Sequence, residues 1–242
     1  MILTPVFPIA GQPLDLESVD ARDRVTELYR SPREDLLRLN LIASISGSAI
    51  GPDGTSETLT NAVDRLILKV IRALSDVVVV GASSVRAEGY FVPRNGTLAV
   101  VTRTGNFTGH HITDTGNNGT VLILCPAAVA ETARTTIGLP GVHVVSVPDV
   151  DGSLSADAIV TALRGQGYRS IVAEGGPGLA THLVLGGVVD ELCLTTSPVL
   201  NGGALPLFGP AEFEDHALAL SQMLIDDAGF TYARWGLANS PP

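Results

Sequence analysis

The stretch Glu174-Gly175-Gly176-Pro177-Gly178-Leu179 has the residue types and order of a phosphate seat. The apolar run Ile171-Val172-Ala173 before it reads as a buried strand, and Leu179, Leu183 and Val184 after it fall at helical spacing. Pro177 supplies the φ favoured in a first helical turn. Strand, glycine turn and helix in that order leave backbone N–H groups at the helix start without intrahelical partners. The positive end of the helix dipole lies behind them, and a phosphate suits both. Glycines let such a ligand approach the backbone closely. A tight turn with no ligand would use the same residues, so the rest of the chain has to decide. Two other strand ends carry ligand-friendly residues: Gly81-Ala82-Ser83-Ser84 and Thr102-Arg103-Thr104. The histidines add no ligand set. His110 and His111 read as solvated residues of a polar loop, and the isolated His143, His182 and His216 read as structural. Cys125 and Cys193 sit in apolar runs and read as buried core thiols, so neither a disulfide nor a metal site is expected.

The elements that must position these residues follow from the hydrophobic pattern. Residues 1–35 carry four prolines and read as an extended arm with one short helix, residues 16–29, packed on the outside. Strands are expected at 38–44, 77–80, 98–101, 121–124, 142–147 and 188–197. Helices are expected from Asn61, at 127–136 and from Ser155. Val63, Leu66, Ile67, Val70, Ile71 and Leu74 share one helical face. The β-branched run Val77-Val78-Val79-Val80 has no polar alternation and reads as a strand covered on both faces. Residues 217–225 and 230–235 read as two strands joined by a turn, and 239–242 as a frayed end. Alternating strands and helices predict an α/β fold, a mostly parallel central sheet with helices on both faces and an antiparallel C-terminal edge. Residues 36–242 are read as a single domain. In such sheets ligands sit outside the carboxyl ends of the strands, where the three polar loops lie.

Lys+Arg number 15 against 25 Asp+Glu, a net charge of −10. A chain this acidic is not expected to bind nucleic acid through bulk electrostatics. An anionic cofactor would have to be held by local backbone N–H groups and a few placed arginines. No apolar run approaches the length of a membrane helix. The N-terminus lacks the basic start of a signal peptide. A cytoplasmic protein with a small-molecule substrate is expected.

The run Val79-Val80-Gly81-Ala82-Ser83-Ser84-Val85-Arg86-Ala87-Glu88 resembles a segment of the bacterial pyrimidine reductases of riboflavin synthesis, the reductase domain of the bifunctional deaminase–reductase. Ala173-Glu174-Gly175-Gly176-Pro177-Gly178-Leu179 resembles that family's E-G-G-P-x-L turn. Asp190-Glu191-Leu192 with Pro198-Val199-Leu200-Asn201-Gly202-Gly203 resembles its D-E-L…P-x-L-x-G-G run. The resemblance extends over residues 36–235, and no deaminase zinc pattern accompanies it. It implies a dihydrofolate-reductase-like fold, NADPH as cofactor and a homodimer. Carried over, Gly175, Gly176, Pro177, Gly178 and Leu179 would hold the cofactor pyrophosphate, Ser84 and Glu88 would lie near the nicotinamide, and Thr58 would be another cofactor contact. Gly81, Thr102 and Arg103 complete the expected cofactor site, with Arg103 facing the adenosine 2′-phosphate because its fork can donate two hydrogen bonds to a dianion. Ser56, Arg72 and Glu174 match positions that hold the ribosylamino-pyrimidine.

This sequence also departs from the family. The family's K-L-A-x-S-L-D-G reads here Asn40-Leu41-Ile42-Ala43-Ser44-Ile45-Ser46-Gly47, so Asn40 replaces a lysine and Ser46 an aspartate. A serine hydroxyl moves protons poorly without a partner of suitable pKa. Glu174 and Ser46 are the expected catalytic residues, and Asn40 joins the substrate set. Two alternatives stay open: pterin or folate reduction on the same fold, and a protein that binds NADPH without turnover.

Overall fold

The computed structural model describes residues 1–113, 116, 118–202, 205–209 and 215–237. The frayed end expected at 239–242, Gly203 of the P-x-L-x-G-G run and part of the polar loop 106–119 lie outside the described residues. The chain forms two compact units, Met1–Leu74 with Val189–Pro242, and Ser75–Val188.

The first unit joins both ends of the chain. Strands β1 (Ile2–Phe7), β2 (Leu14–Asp15) and β3 (Leu36–Ser44) combine with β13 (Glu191–Ser197), β14 (Leu218–Asp226) and β15 (Thr231–Leu237) in the order β2-β1-β14-β15-β13-β3. Only β13 and β3 run parallel; the other pairs are antiparallel. The extended arm is thus a sheet strand, with Leu3 opposite Asp226 and buried. Helix α1 (Ala21–Tyr29) starts five residues later than its apolar pattern predicts. In the skipped segment Ser18 Oγ donates to the Asp15 carbonyl at 2.7 Å and the Glu17 N–H donates to Asp15 Oδ1 at 3.0 Å. Such local side-chain bonds offer the backbone an alternative to helix. Helix α2 (Ala62–Ala73) begins where Asn61 predicts, with Asn61 Oδ1 accepting from the Asp64 N–H at 2.8 Å. It buries Val63, Ile67, Val70 and Ile71 on one face.

The second unit is a parallel α/β unit. Strands β4 (Val77–Gly81), β6 (Thr97–Val101), β8 (Thr120–Cys125), β9 (His143–Ser146) and β12 (Ser170–Ala173) lie in the order β12-β4-β6-β8-β9, every pair parallel. All five residues of β4 are buried, as a β-branched run covered on both faces requires. Helices α3 (Ala82–Ala87), α4 (Ala130–Ile137) and α5 (Ala156–Gly165) lie between them in the chain, and α6 (Pro177–Leu185) follows β12. Ser155 caps α5, its Oγ accepting from the Ala158 N–H at 3.1 Å. Two short pairs complete the unit: β5 (Tyr90–Phe91) beside β7 (Ile112–Thr113), and β10 (Asp149–Val150) beside β11 (Ser153–Leu154). The β7 pairing corrects the reading of His110 as solvated. The ring is half-buried, Nδ1 accepts from the Ile112 N–H at 3.0 Å, and Nε2 donates to the Ile137 carbonyl at 2.8 Å. It braces the polar loop from within.

Candidate active site

In the second unit the glycine turn is sewn to the end of β4. The Glu174 N–H donates to the Val79 carbonyl at 2.9 Å, prolonging the β12–β4 ladder by one residue. The Gly175 carbonyl then accepts from the Gly81 N–H at 2.9 Å, and the Gly176 N–H donates to Ser84 Oγ at 2.5 Å. Gly81, Ser84, Glu174, Gly175 and Gly176 are therefore one constellation at the carboxyl ends of two adjacent parallel strands. Gly175 sits at φ +90°, a conformation that residues with side chains rarely adopt, and a Cβ at Gly176 would lie 2.9 Å from Ser84 Oγ. Both glycines are required by the turn itself. Gly178 is different, because a Cβ there would meet nothing within 4 Å.

Helix α6 starts from this turn with Pro177 at its first position and no side chain capping it. The N–H groups of Gly178 and Leu179 belong to the first turn, where an α-helix provides no internal acceptor. A diphosphate fits this arrangement: orphan donors, the positive helix end and an open approach at Gly178. Glu88 ends α3, half-buried, its N–H on the Ser84 carbonyl at 2.8 Å. Thr102 turns inward: buried, it accepts from the Gly105 N–H at 3.1 Å and shapes the loop. Arg103 beside it is exposed, two residues past β6.

In the first unit, Thr58 Oγ1 donates to Asp53 Oδ1 at 2.8 Å and covers Gly51 so closely that a Cβ there would strike the hydroxyl. Hydrogen bonds from Thr55 and then Thr58 hold the Asp53 carboxyl below its ordinary range. Ser56 is half-buried in the same loop, its carbonyl accepting from the Leu59 N–H at 3.0 Å. Arg72 lies in the last turn of α2. Asn40 is half-buried in β3, in register with Cys193.

Ser46 is not a lone hydroxyl. Its Oγ lies 2.7 Å from the Asn201 carbonyl, 2.8 Å from Asn201 Oδ1 and 2.9 Å from Ser44 Oγ, and it accepts from the Asn201 N–H at 3.3 Å. Ser44 Oγ also donates to Asn201 Oδ1 at 2.8 Å, and Asn201 Nδ2 donates to the Ile50 carbonyl at 3.0 Å. Asn201 is thus the hub of a neutral network tying the loop after β3 to the loop after β13. Sequence reading passed over it because it fills the unspecified position of P-x-L-x-G-G. It also missed Asp64, which accepts from Thr60 Oγ1 at 2.5 Å and Thr195 Oγ1 at 2.7 Å. Burial pushes the Asp64 carboxyl up despite those bonds.

A family model described as the RibD C-terminal domain matches residues 35–231. Among solved structures, a pyrimidine reductase-like protein from Corynebacterium diphtheriae is 21% identical, with TM-score 0.69 over 88% of this chain and 98% of that one. The bifunctional deaminase and 5-amino-6-(5-phosphoribosylamino)uracil reductase from Thermotoga maritima is 17% identical, with TM-score 0.68 over 85% of this chain and 57% of that one. A riboflavin biosynthesis reductase from Saccharomyces cerevisiae is 15% identical, with TM-score 0.59 over 90% of this chain and 97% of that one. These likenesses establish the fold as the dihydrofolate-reductase-like α/β fold of such reductase domains. No protein of curated function matches the chain by sequence.

Proposed function

Because the chain belongs to the RibD C-terminal domain family, whose reductases use a nicotinamide cofactor, we propose that it is an NADPH-dependent reductase of a ribosylamino-pyrimidine or a closely related heterocycle. The observation that carries this is the glycine turn bonded to Gly81 and Ser84 in front of an uncapped helix. In this reading the first turn of α6 holds the pyrophosphate, Ser84 and Glu88 line the nicotinamide end, Thr58 adds a contact, and Arg103 beside Thr102 takes the 2′-phosphate. Ser56, Arg72, Asn40 and Glu174 are the substrate-facing residues. A reduced nicotinamide held there would supply a hydride to the carbon of a substrate C=N bond, and the chain's part would be to orient the two and to deliver a proton to the nitrogen. In this reading Glu174 and Ser46 are the catalytic residues that would relay that proton. A cytoplasmic homodimer is inferred from the family resemblance alone. Loss of reduced-nicotinamide absorbance against a pyrimidine and pterin panel tests the reading. NADPH binding without turnover of any panel member would favour the non-catalytic alternative.

Two substitutions examine the cofactor half. Gly178→Val places its side chain in open space at the helix start, pointing toward the N-terminal end. NADPH affinity should fall at least about tenfold, roughly 1.4 kcal/mol, in a variant that melts like the native protein. Unchanged affinity would put the pyrophosphate elsewhere. Gly176→Val is a poor probe because its Cβ would crowd Ser84 Oγ at 2.9 Å and disturb the turn. Arg103→Ala should weaken NADPH by about 1.5–3 kcal/mol, the range of hydrogen bonds to charged groups, and leave NADH almost untouched. Equal losses for the two cofactors in parallel titrations would assign Arg103 to the pyrophosphate or to the fold.

A further inference from the structure

The loop that carries Arg103 is held from two sides within the second unit. On one side lies α4. Its Thr136 Oγ1 is 2.8 Å from the Gly105 carbonyl and accepts from the Phe107 N–H at 3.0 Å. Gly105, at φ +67°, lies so near the Val129 carbonyl that a Cβ would strike it. Inside the loop, Thr102 Oγ1 accepts from the Gly105 N–H at 3.1 Å and Thr104 Oγ1 from the Asn106 N–H at 3.3 Å. On the other side lies α3. Arg86, in the last turn of that helix, reaches 20 residues along the chain, and its Nη1 donates to the Asn106 carbonyl at 2.9 Å. The same helix carries Ser84, whose Oγ accepts from the Gly176 N–H at 2.5 Å. One short helix therefore holds the glycine turn through Ser84 and the Arg103 loop through Arg86.

We propose that Arg86 is a positioning residue for cofactor choice: by fixing the Asn106 carbonyl it holds the loop in the shape that lets Arg103 select NADPH over NADH. The inference rests on the reductase reading above, in which Arg103 takes the 2′-phosphate. A guanidinium fork is planar and rigid, so two hydrogen bonds to one phosphate need the backbone behind it in a set place. Arg103 is exposed, and its side chain gains no order from burial. The order comes from the backbone on its far side, at Gly105 and Asn106, where Thr136 and Arg86 bind. The bond from Arg86 is charge-assisted, which makes it stronger than one between neutral groups. A loop ordered before the cofactor arrives also spares binding the cost of ordering it. NADH has no 2′-phosphate and draws nothing from that order.

The test is a double-mutant cycle on the full chain, read as dissociation constants for NADPH and NADH from titrations of nicotinamide fluorescence. Arg86→Ala should weaken NADPH about fivefold, the weight of one hydrogen bond, and leave NADH at its native affinity. In the Arg103→Ala background the same change should alter neither cofactor. Equal losses for the two cofactors overturn the proposal, as does no loss at all. A loss of NADPH affinity that persists without the Arg103 side chain also overturns it, by making Arg86 a direct or long-range partner of the phosphate. Arg103→Ala alone decides the underlying reading. If that variant treats NADPH and NADH alike, the 2′-phosphate assignment falls and the proposal with it; a discriminating Arg103 with a silent Arg86 refutes the proposal only. Should Arg86→Ala not fold, Arg86→Gln, which keeps most of the stem and removes the charge, takes its place in the cycle.

Discussion

Turnover of 5-amino-6-(5-phosphoribosylamino)uracil by this protein is expected to be about 10²–10⁴-fold slower than by a family member that carries the lysine and aspartate, a barrier higher by roughly 3–5 kcal/mol. Asn40 and Ser46 stand at those two positions. The geometry makes Ser46 a weaker substitute than a free hydroxyl would be. It has one proton to give, and the Asn201 carbonyl and Oδ1 already compete for it at 2.7 and 2.8 Å. Under the proposed reading, in which the backbone of the Gly175–Gly178 turn would hold the cofactor, neither side chain is involved, so NADPH affinity should be ordinary. Restoring the family residues with Asn40→Lys and Ser46→Asp should raise turnover, but only in part. An aspartate at 46 would face the same two Asn201 oxygens, and acceptor against acceptor is repulsive. Adding Asn201→Ser, which removes one of them, should raise turnover further. Steady-state NADPH consumption by the native protein and both variants measures this. Brisk native turnover would make Asn40 and Ser46 irrelevant to rate. An additional Asn201 change without effect would free Ser46 from the network as the cause.

The glycine turn was legible in the sequence because its determinants are local. Strand, glycine pair, proline and helix occupy one continuous stretch, and backbone conformation follows from residue type at Gly175, Gly176 and Pro177. What the sequence did not reveal is which glycine is needed by the turn and which leaves room for a ligand; that depends on Ser84, 92 residues away. The Ser44, Ser46 and Asn201 network was visible in the sequence only as departures from a family pattern. Its hub joins residues 155 apart, Ser46 and Asn201, and no periodicity marks such a pairing. The N-terminal strand was masked for a related reason. Prolines at 5 and 8 lower its strand propensity, whereas pairing with β14 near the other end of the chain decides its fate. The late start of α1 is the opposite case, a local polar turn overriding a helical apolar pattern.

The largest expected loss of stability comes from Glu191, a residue the sequence showed only as part of Asp190-Glu191-Leu192. Its Oε2 accepts from Arg38 Nε at 2.5 Å, and its Oε1 from Arg234 Nε at 3.0 Å and Nη2 at 2.6 Å. Both guanidiniums are nearly enclosed, and each also donates to a backbone carbonyl before α1 ends, Arg38 to Tyr29 and Arg234 to Leu28. Arg234 lies 5.5 Å above the Tyr29 ring. Beneath the same carboxylate, burial first and then the Glu191 charge push the Cys193 thiol up to about 12. Glu191→Gln leaves two buried cations without a counter-charge, which typically costs about 3–5 kcal/mol, or of order 10 °C in melting temperature for a chain of this size. The pH dependence has a definite sign. Burial alone would raise the Glu191 carboxyl, but Arg38 and Arg234 outweigh it and hold it below its ordinary 4.5. A carboxyl lowered by folding stabilises fully above its unfolded pKa and loses that contribution as pH falls through the folded one. The native protein should therefore lose stability below pH 4.5, and Glu191→Gln should be weaker at neutral pH with a shallower acid limb. Thermal melts from neutral to acid pH read both effects. Equal neutral melting temperatures, or parallel acid limbs, would show that the two arginines find compensation elsewhere.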